Sequence, residues 1–277
     1  MTTQHGPYDP FWVANFYDEY AGKEWERLVA MPVDRVSLEI HSHYLRRYVQ
    51  PGSRVLEIGA GPGRFTQLLA ELSCRVLVAD ISPRQLELHA EKAREFGFEK
   101  AVEERRRLDI CDLGEFADAS FDVVLAYGGP LSYVFGRAGQ ALGECTRVCK
   151  PGGHVLASVM SLWGSLHKTL GQDLDVPAES MRRIIATGDL TPANWQGITH
   201  RCHLFRAAEI HSLLDGLPLR IRTLSASGFL STHWNQQLEG LEPHSEAWQM
   251  LIEMELQACA SEGCLDAGTH LIVVAQK

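Results

Sequence analysis

Three glycines at alternate positions, Gly59, Gly61 and Gly63, follow an apolar run in the segment VLEIGAGPGRFT, residues 55–66. Glycine adopts backbone angles closed to other residues and lets a ligand approach the main chain. A helix beginning near Gly63 would add unpaired amide donors. A dinucleotide fingerprint needs G-x-G-x-x-G, but here the third glycine comes one residue early and Arg64 stands in its place. Glu57, two positions before the first glycine, has the wrong charge for a diphosphate and argues for a ligand that carries positive charge. Two further acids, Asp80 and Asp109, stand at or near the ends of later strand signals. Histidine is the usual proton acceptor near neutral pH, and His200, His203 and His233 lie in late segments beside Trp195 and Trp234. The run HRCH at 200–203 has no strong zinc spacing, so no metal site is expected.

Elements must place these residues. SRVLEIG (53–59), RVLVAD (75–80), FDVVLAY (121–127) and HVLASVM (154–160) read as buried strands, and THLIVVAQK (269–277) as a last antiparallel one. Between them, RFTQLLAEL (64–72) and SPRQLELHAEKAREFG (82–97) read as helices. The second has Ser82 as N-cap, Pro83 in the first turn and Gly97 as the stop. The basic stretch EERRRL (103–108) carries its own glutamates and reads as an edge or solvated strand. Strands alternating with helices imply a mainly parallel sheet covered on both faces, whose ligands bind beyond the carboxyl ends of the strands.

Composition narrows the partners. The 277 residues are 45% hydrophobic and 22% charged, with a formal charge of −9. An acidic surface disfavours nucleic acid. Seven cysteines without zinc-ribbon spacing fit a reducing compartment. The start MTTQHGPYDPFW has no secretory pattern, and no apolar stretch reaches about 18 residues. The expectation is a cytoplasmic protein with no membrane partner, monomeric or homodimeric.

Taken in order, these motifs resemble the class I S-adenosylmethionine-dependent methyltransferases of small-molecule type. VLEIGAGPGRFT resembles their motif I, and VLVAD with SPRQL their second strand and its acid. LDICDL (108–113) resembles the third-strand element that meets the adenine, FDVVLAYGGPLSYV (121–134) the fourth-strand motif, and RVCKPGGHVLASV (147–159) the turn into the fifth strand. The likeness covers about residues 50–160 and, more loosely, 200–277. It implies an α/β, Rossmann-like, doubly wound seven-stranded sheet, mainly parallel with an antiparallel last strand, plus helical cap segments. It also implies S-adenosyl-L-methionine as cofactor. Gly59, Ala60, Gly61 and Gly63 would lie against its methionine part and ribose, with Glu57 at the base of the loop. Glu57 would contact the amine directly, through water, or by orienting the loop. Asp80 would take the ribose hydroxyls with Ile81 on the adenine. Asp109 would take the adenine amine beside Ile110, and Tyr127 and Gly128 would face the cofactor amine. Tyr133 would stand where the substrate enters.

The expected organisation is a single domain, 1–277, with an N-terminal helical lid (1–50) and a cofactor-binding core (51–160). Substrate-cap insertions (161–205 and 229–262) and a final strand (263–277) complete it. The expected activity is methyl transfer to a small-molecule hydroxyl or carboxyl, with His203, His233, His200 or Tyr133 as catalytic groups. An N- or C-methyltransferase, an RNA or protein methyltransferase and a non-catalytic binder of the cofactor are the alternatives. The glycine spacing and the third acid, Asp109, speak against a nicotinamide-dependent oxidoreductase.

Overall fold

The computed structural model describes residues 7–277. Residues 1–6, the beginning of the expected lid, lie outside the described residues. Three N-terminal helices, α1 (Pro10–Tyr20), α2 (Lys23–Arg27) and α3 (Pro32–Tyr48), precede the sheet. There follow β1 (Arg54–Ile58), α4 (Arg64–Glu71), β2 (Arg75–Asp80), α5 (Pro83–Glu95), β3 (Val102–Arg107), β4 (Phe121–Ala126), α6 (Pro130–Tyr133), α7 (Ala138–Val148) and β5 (Cys149–Met160). The last third holds α8 (Leu162–Asp173), α9 (Ala178–Thr187), β6 (Asp189–Leu190), β7 (Cys202–His203), α10 (Ala207–Leu214), β8 (Arg220–Ser227), α11 (Asn235–Leu238), α12 (Glu246–Cys259) and β9 (His270–Gln276).

Seven strands form one sheet in the order β3-β2-β1-β4-β5-β9-β8. β3, β2, β1, β4 and β5 pair in parallel, and β9 runs antiparallel between β5 and β8. From β1 the chain winds outward to β2 and β3, then returns to β4 on the other side. That reversal is the switch point at which such sheets open a crevice. Both faces are covered: Leu56, Val124 and Ala157 pack on one side, Val55, Val123 and Leu156 on the other. Strands buried on both faces read as continuous apolar runs, which is why β1, β2, β4 and β5 are legible in the sequence.

The local signals of α5 hold: the Ser82 side chain accepts the Gln85 amide at 3.0 Å, and Gly97 after the helix has φ +78°. One expectation shifts. LDICDL is not itself a strand; the third strand is VEERRR, 102–107, on the sheet edge, and Asp109 lies two residues past its end. Arginines and glutamates dominate β3 because an edge strand needs solvated, charged side chains, and that hides it from an apolar-run search. Six of the seven cysteines are buried and none forms a disulfide. Burial pushes the Cys145 thiol up to about 12, so it packs as an unreactive apolar group.

Candidate active site

The glycine loop is held open by a carboxylate. Asp80, at the tip of β2, accepts the Gly61 amide on one oxygen and the Ser82 amide on the other, each at 2.9 Å. Gly59, Gly61 and Gly63 all have positive φ. At Gly59 a Cβ would stand 2.5 Å from the Pro130 ring, and at Gly63 2.8 Å from His89 Nε2. Bulk as well as backbone angle therefore demands glycine at both. Burial raises the Asp80 carboxyl to about 6, against the opposing pull of the Ser82 and Gly61 amides.

Glu57 sits behind this loop. Arg105 Nε donates to His89 Nδ1 at 3.0 Å, which leaves the proton of a neutral His89 on Nε2, facing Thr66 Oγ1 at 2.8 Å. Thr66 in turn donates to Glu57 Oε2 at 2.6 Å. The relay ties β3, α5 and α4 to β1 beneath the loop. Burial lifts Glu57 to about 8 and, with Arg105, lowers His89 to about 3. Glu57 does not line the cavity described next; its geometry is that of a residue that orients the loop.

A cleft enclosing about 610 Å³, its open mouth included, lies over the switch point. Gly59, Gly61, Asp80, Ile81, Asp109 and Ile110 line it, and Gly128 closes its far end. Asp109 accepts the Cys111 amide at 2.8 Å, and the Tyr8 phenol lies against it, kept protonated by burial and by that carboxylate. Ala60 and Tyr127 flank the cavity without lining it. The Tyr127 ring is buried against His41 and Phe65, with its hydroxyl unpartnered among the described residues.

The roof comes from the N-terminal helices. Arg64, the residue that stands where a dinucleotide loop has glycine, lays its guanidinium 3.7 Å from the Trp25 ring centre and donates to the Trp25 carbonyl at 3.0 Å. This stacked cation anchors α2 to the loop and delivers Glu24 into the cavity. Gln85 fastens α1 by donating to the Tyr17 and Ala21 carbonyls. Nothing local in the sequence announces Glu24, Tyr8 or Tyr17 as cavity residues. They arrive through contacts across dozens of residues of chain.

The four residues expected to be catalytic separate. Tyr133 lines the cavity. Tyr17 donates to its hydroxyl at 2.5 Å, and Tyr133 is 2.8 Å from His200 Nε2. Burial, then Arg27, lowers His200 to about 4, so it is a neutral acceptor of the Tyr133 proton. His203 and His233 lie elsewhere, lining neither this cavity nor its neighbour. His203 Nδ1 is 2.7 Å from Asp189 and Nε2 3.2 Å from Glu209. Burial lowers its pKa, but those two acids outweigh burial and leave it raised. It joins β6, β7 and α10. His233 is exposed and pairs with the His167 carbonyl at 3.0 Å. Among the described residues, no group of three His, Cys, Asp or Glu side chains could hold a metal.

A second cavity, about 750 Å³, meets the first at Gly128. Arg27, Ser37, His41, Phe65, Lys168 and His270 are among its walls. Arg27 makes a two-pronged pair with Glu24, at 2.8 and 2.5 Å, so the pair stands with its acid in one cavity and its base in the other. Burial lowers His41 to about 4 and drives His270 well below its ordinary value, with Arg27 adding to both.

Residues 56–157 match the family model described as a methyltransferase domain. The ubiquinone/menaquinone biosynthesis C-methyltransferase UbiE of Legionella pneumophila (strain Corby) is 33% identical over 132 residues, 44% of this chain and 51% of that protein. A ubiquinone biosynthesis O-methyltransferase of Hahella chejuensis is 33% identical over 116 residues, 42% of this chain and 46% of that protein. The chain thus spans about half the length of the curated relatives it matches. The crystal structure of an S-adenosylmethionine-dependent methyltransferase from Mesorhizobium loti superposes with a TM-score of 0.56 at 19% identity, covering 86% of this chain and 98% of the other. The glycine loop latched by Asp80, the cavity over the switch point and these matches agree: residues 56–157 match a methyltransferase domain, and the sheet around them has the fold of a solved S-adenosylmethionine-dependent methyltransferase.

Proposed function

We propose that the protein transfers a methyl group from S-adenosylmethionine to an oxygen, hydroxyl or carboxyl, of a small molecule. The observation that carries this reading is the pair of cavities meeting at Gly128 under a lid, one lined by the glycine loop and acids, the other by cationic and imidazole groups. The residues present fit the cofactor. Asp80 has lone pairs left for two ribose hydroxyls beyond the two amides it already accepts. Gly61 leaves room in the cavity wall that a Cβ would fill, with no atom nearer than 3.4 Å, and Glu24 supplies negative charge near the loop. Asp109 and Ile110 suit an adenine. The cofactor supplies an electrophilic methyl on a sulfonium; the protein aligns the acceptor, excludes water and takes up a proton. The described part of the expected lid, residues 7–50, covers the site, and the segments 161–205 and 229–262 form the cap of a cytoplasmic enzyme that takes no nucleic acid.

Two solution measurements test this. Calorimetry should give binding of S-adenosylmethionine and of its demethylated product, and none of NAD. Labelled methyl groups should pass into a small-molecule fraction of a metabolite extract as O–CH₃, base-stable if the acceptor is a hydroxyl and base-labile if it is a carboxyl. Label in C–CH₃ would move the acceptor to carbon, the class named for the Legionella relative, and label in RNA or protein would overturn the small-molecule reading.

The Asp80 carboxyl also sets a pH dependence. Its pKa is raised from 3.8 to about 6, and ribose hydroxyl donors favour the ionised form. Affinity for S-adenosylhomocysteine is therefore full above pH 6 and falls as pH drops through it, by up to about tenfold per unit. Calorimetry between pH 5 and 7.5 should show this limb, and Asp80→Asn should flatten it. A native profile without the limb would remove Asp80 from the ribose.

A further inference from the structure

The second cavity has a charge pattern that selects its occupant. Its ionisable walls among the described residues are Arg27, Lys168, Asp34, His41 and His270. Asp34 accepts the Met31 amide at 3.2 Å as part of the start of α3. The Arg27 side chain keeps about a third of its surface open although it pairs with Glu24. Lys168 projects from α8 at the mouth, exposed and with no acid within ion-pairing distance among the described residues.

The imidazoles are of opposite use. His41 Nδ1 donates to the Ser37 carbonyl at 2.8 Å, so its neutral ring presents a bare lone pair at Nε2. His270 Nδ1 is 3.2 Å from Thr269 Oγ1. The two ring centres are 6.1 Å apart, and Phe65 lies 5.8 Å from His41. Lys168 is exposed, Arg27 lies beside Gly128 where the two cavities meet, and His41, His270 and Phe65 supply ring surfaces, a lining that suits an aromatic molecule with a negative end. The lone pair at His41 Nε2 can accept a hydrogen bond from a hydroxyl at its other end.

We propose that this cavity is the acceptor site, and that its occupant is a small aromatic hydroxy acid, anionic group toward Lys168 and hydroxyl toward His41 and His270. This rests on the methyltransferase reading given above and names the substrate class within it. A carboxylate beside the Lys168 ammonium gains a Coulomb attraction that its neutral ester lacks, so the acid is expected to bind about tenfold or more tightly than the ester.

The test uses the whole chain saturated with S-adenosylhomocysteine, with the three hydroxybenzoate isomers and their methyl esters as probes in equilibrium binding. At least one isomer should bind about tenfold or more tightly than its ester. In Lys168→Met that preference should shrink to threefold or less, because an exposed lysine is removed without disturbing the fold. In His270→Gln the acid preference should remain while affinity for the hydroxybenzoate falls toward that of benzoate itself. Equal binding of acid and ester, binding of no isomer, or an undiminished preference in Lys168→Met would overturn the inference. Absence of S-adenosylhomocysteine binding in the same samples would instead remove the methyltransferase reading beneath it.

Discussion

Replacing Asp80 by alanine is expected to weaken S-adenosylhomocysteine binding at least about 100-fold. Hydrogen bonds to a charged acceptor contribute about 1.5–3 kcal/mol each, and two ribose hydroxyls would be lost together. At 1.4 kcal/mol per factor of ten, even the lower value gives about two orders of magnitude. The same carboxylate also fixes the Gly61 and Ser82 amides at 2.9 Å, so the loop would lose its shape as well as its ligand partner. One effect opposes these: burial makes the carboxylate costly, as its pKa of about 6 shows, and alanine removes that cost. The opposing gain stabilises the empty protein, so it adds nothing to the bound state. Calorimetry reads the affinity, and circular dichroism with a thermal melt checks that the variant is folded. An affinity within threefold of native would dissolve the assignment.

Gly164→Ala should produce the largest loss of stability of any single methyl added to the chain's helices. Helix propensity alone favours alanine over glycine by about 1 kcal/mol, so a reading of α8 in isolation gives the opposite sign. In the folded protein a Cβ at Gly164 would stand 1.7 Å from the Gly268 carbonyl oxygen and 2.8 Å from the Thr269 amide. Those are backbone atoms next to β9, and no side-chain rotation relieves them. α8 and the start of β9 must move apart, an overpacking cost of about 3 kcal/mol or more. For a chain this size that lowers Tm by roughly 6–12 °C, at about 2–4 °C per kcal/mol. Gly171, in the same helix, meets nothing within 4 Å, and Gly171→Ala should leave Tm unchanged or raise it. Denaturation of the two variants side by side separates the packing effect from propensity. Because α8 carries Lys168 and β9 carries His270, Gly164→Ala should also weaken hydroxybenzoate binding more than cofactor binding.

Much of the cofactor side was legible without coordinates. Gly59, Gly61 and Gly63 are marked by their spacing, and all three have positive φ. Asp80 and Ile81 follow an apolar run, and strand ends in such a sheet point at the crevice. The edge strand β3 was legible from its charged stretch, EERRRL, as an edge or solvated strand, and β8 and α10 gave no reading. β8 alternates half-buried and exposed residues in its first half, a weaker pattern than the continuous apolar runs of the central strands.

Histidines sort differently. The sequence placed His200, His203 and His233 together as candidates on the strength of neighbouring tryptophans. In the fold His203 holds two acids, His233 faces solvent, and only His200 approaches a cavity, through Tyr133. His41 and His270, 229 positions apart by subtraction of their numbers, share the second cavity instead. Glu57 had three open roles, and its partner Thr66, with His89 and Arg105 behind, places it beneath the loop rather than in the cavity.

By itself the sequence determined the parallel sheet, the glycine loop with an acid at the end of the next strand, and the kind of cofactor such a loop suits. Those features follow from local rules: burial periodicity, positive φ and charge over a few neighbouring residues. The tertiary structure alone decided which histidines face a cavity, that Arg64 clamps the lid through Trp25, and that Arg27 and Lys168 share one wall. Such facts depend on segments brought together across many residues, where one rotation of a helix changes which side chain arrives and no short pattern records the outcome.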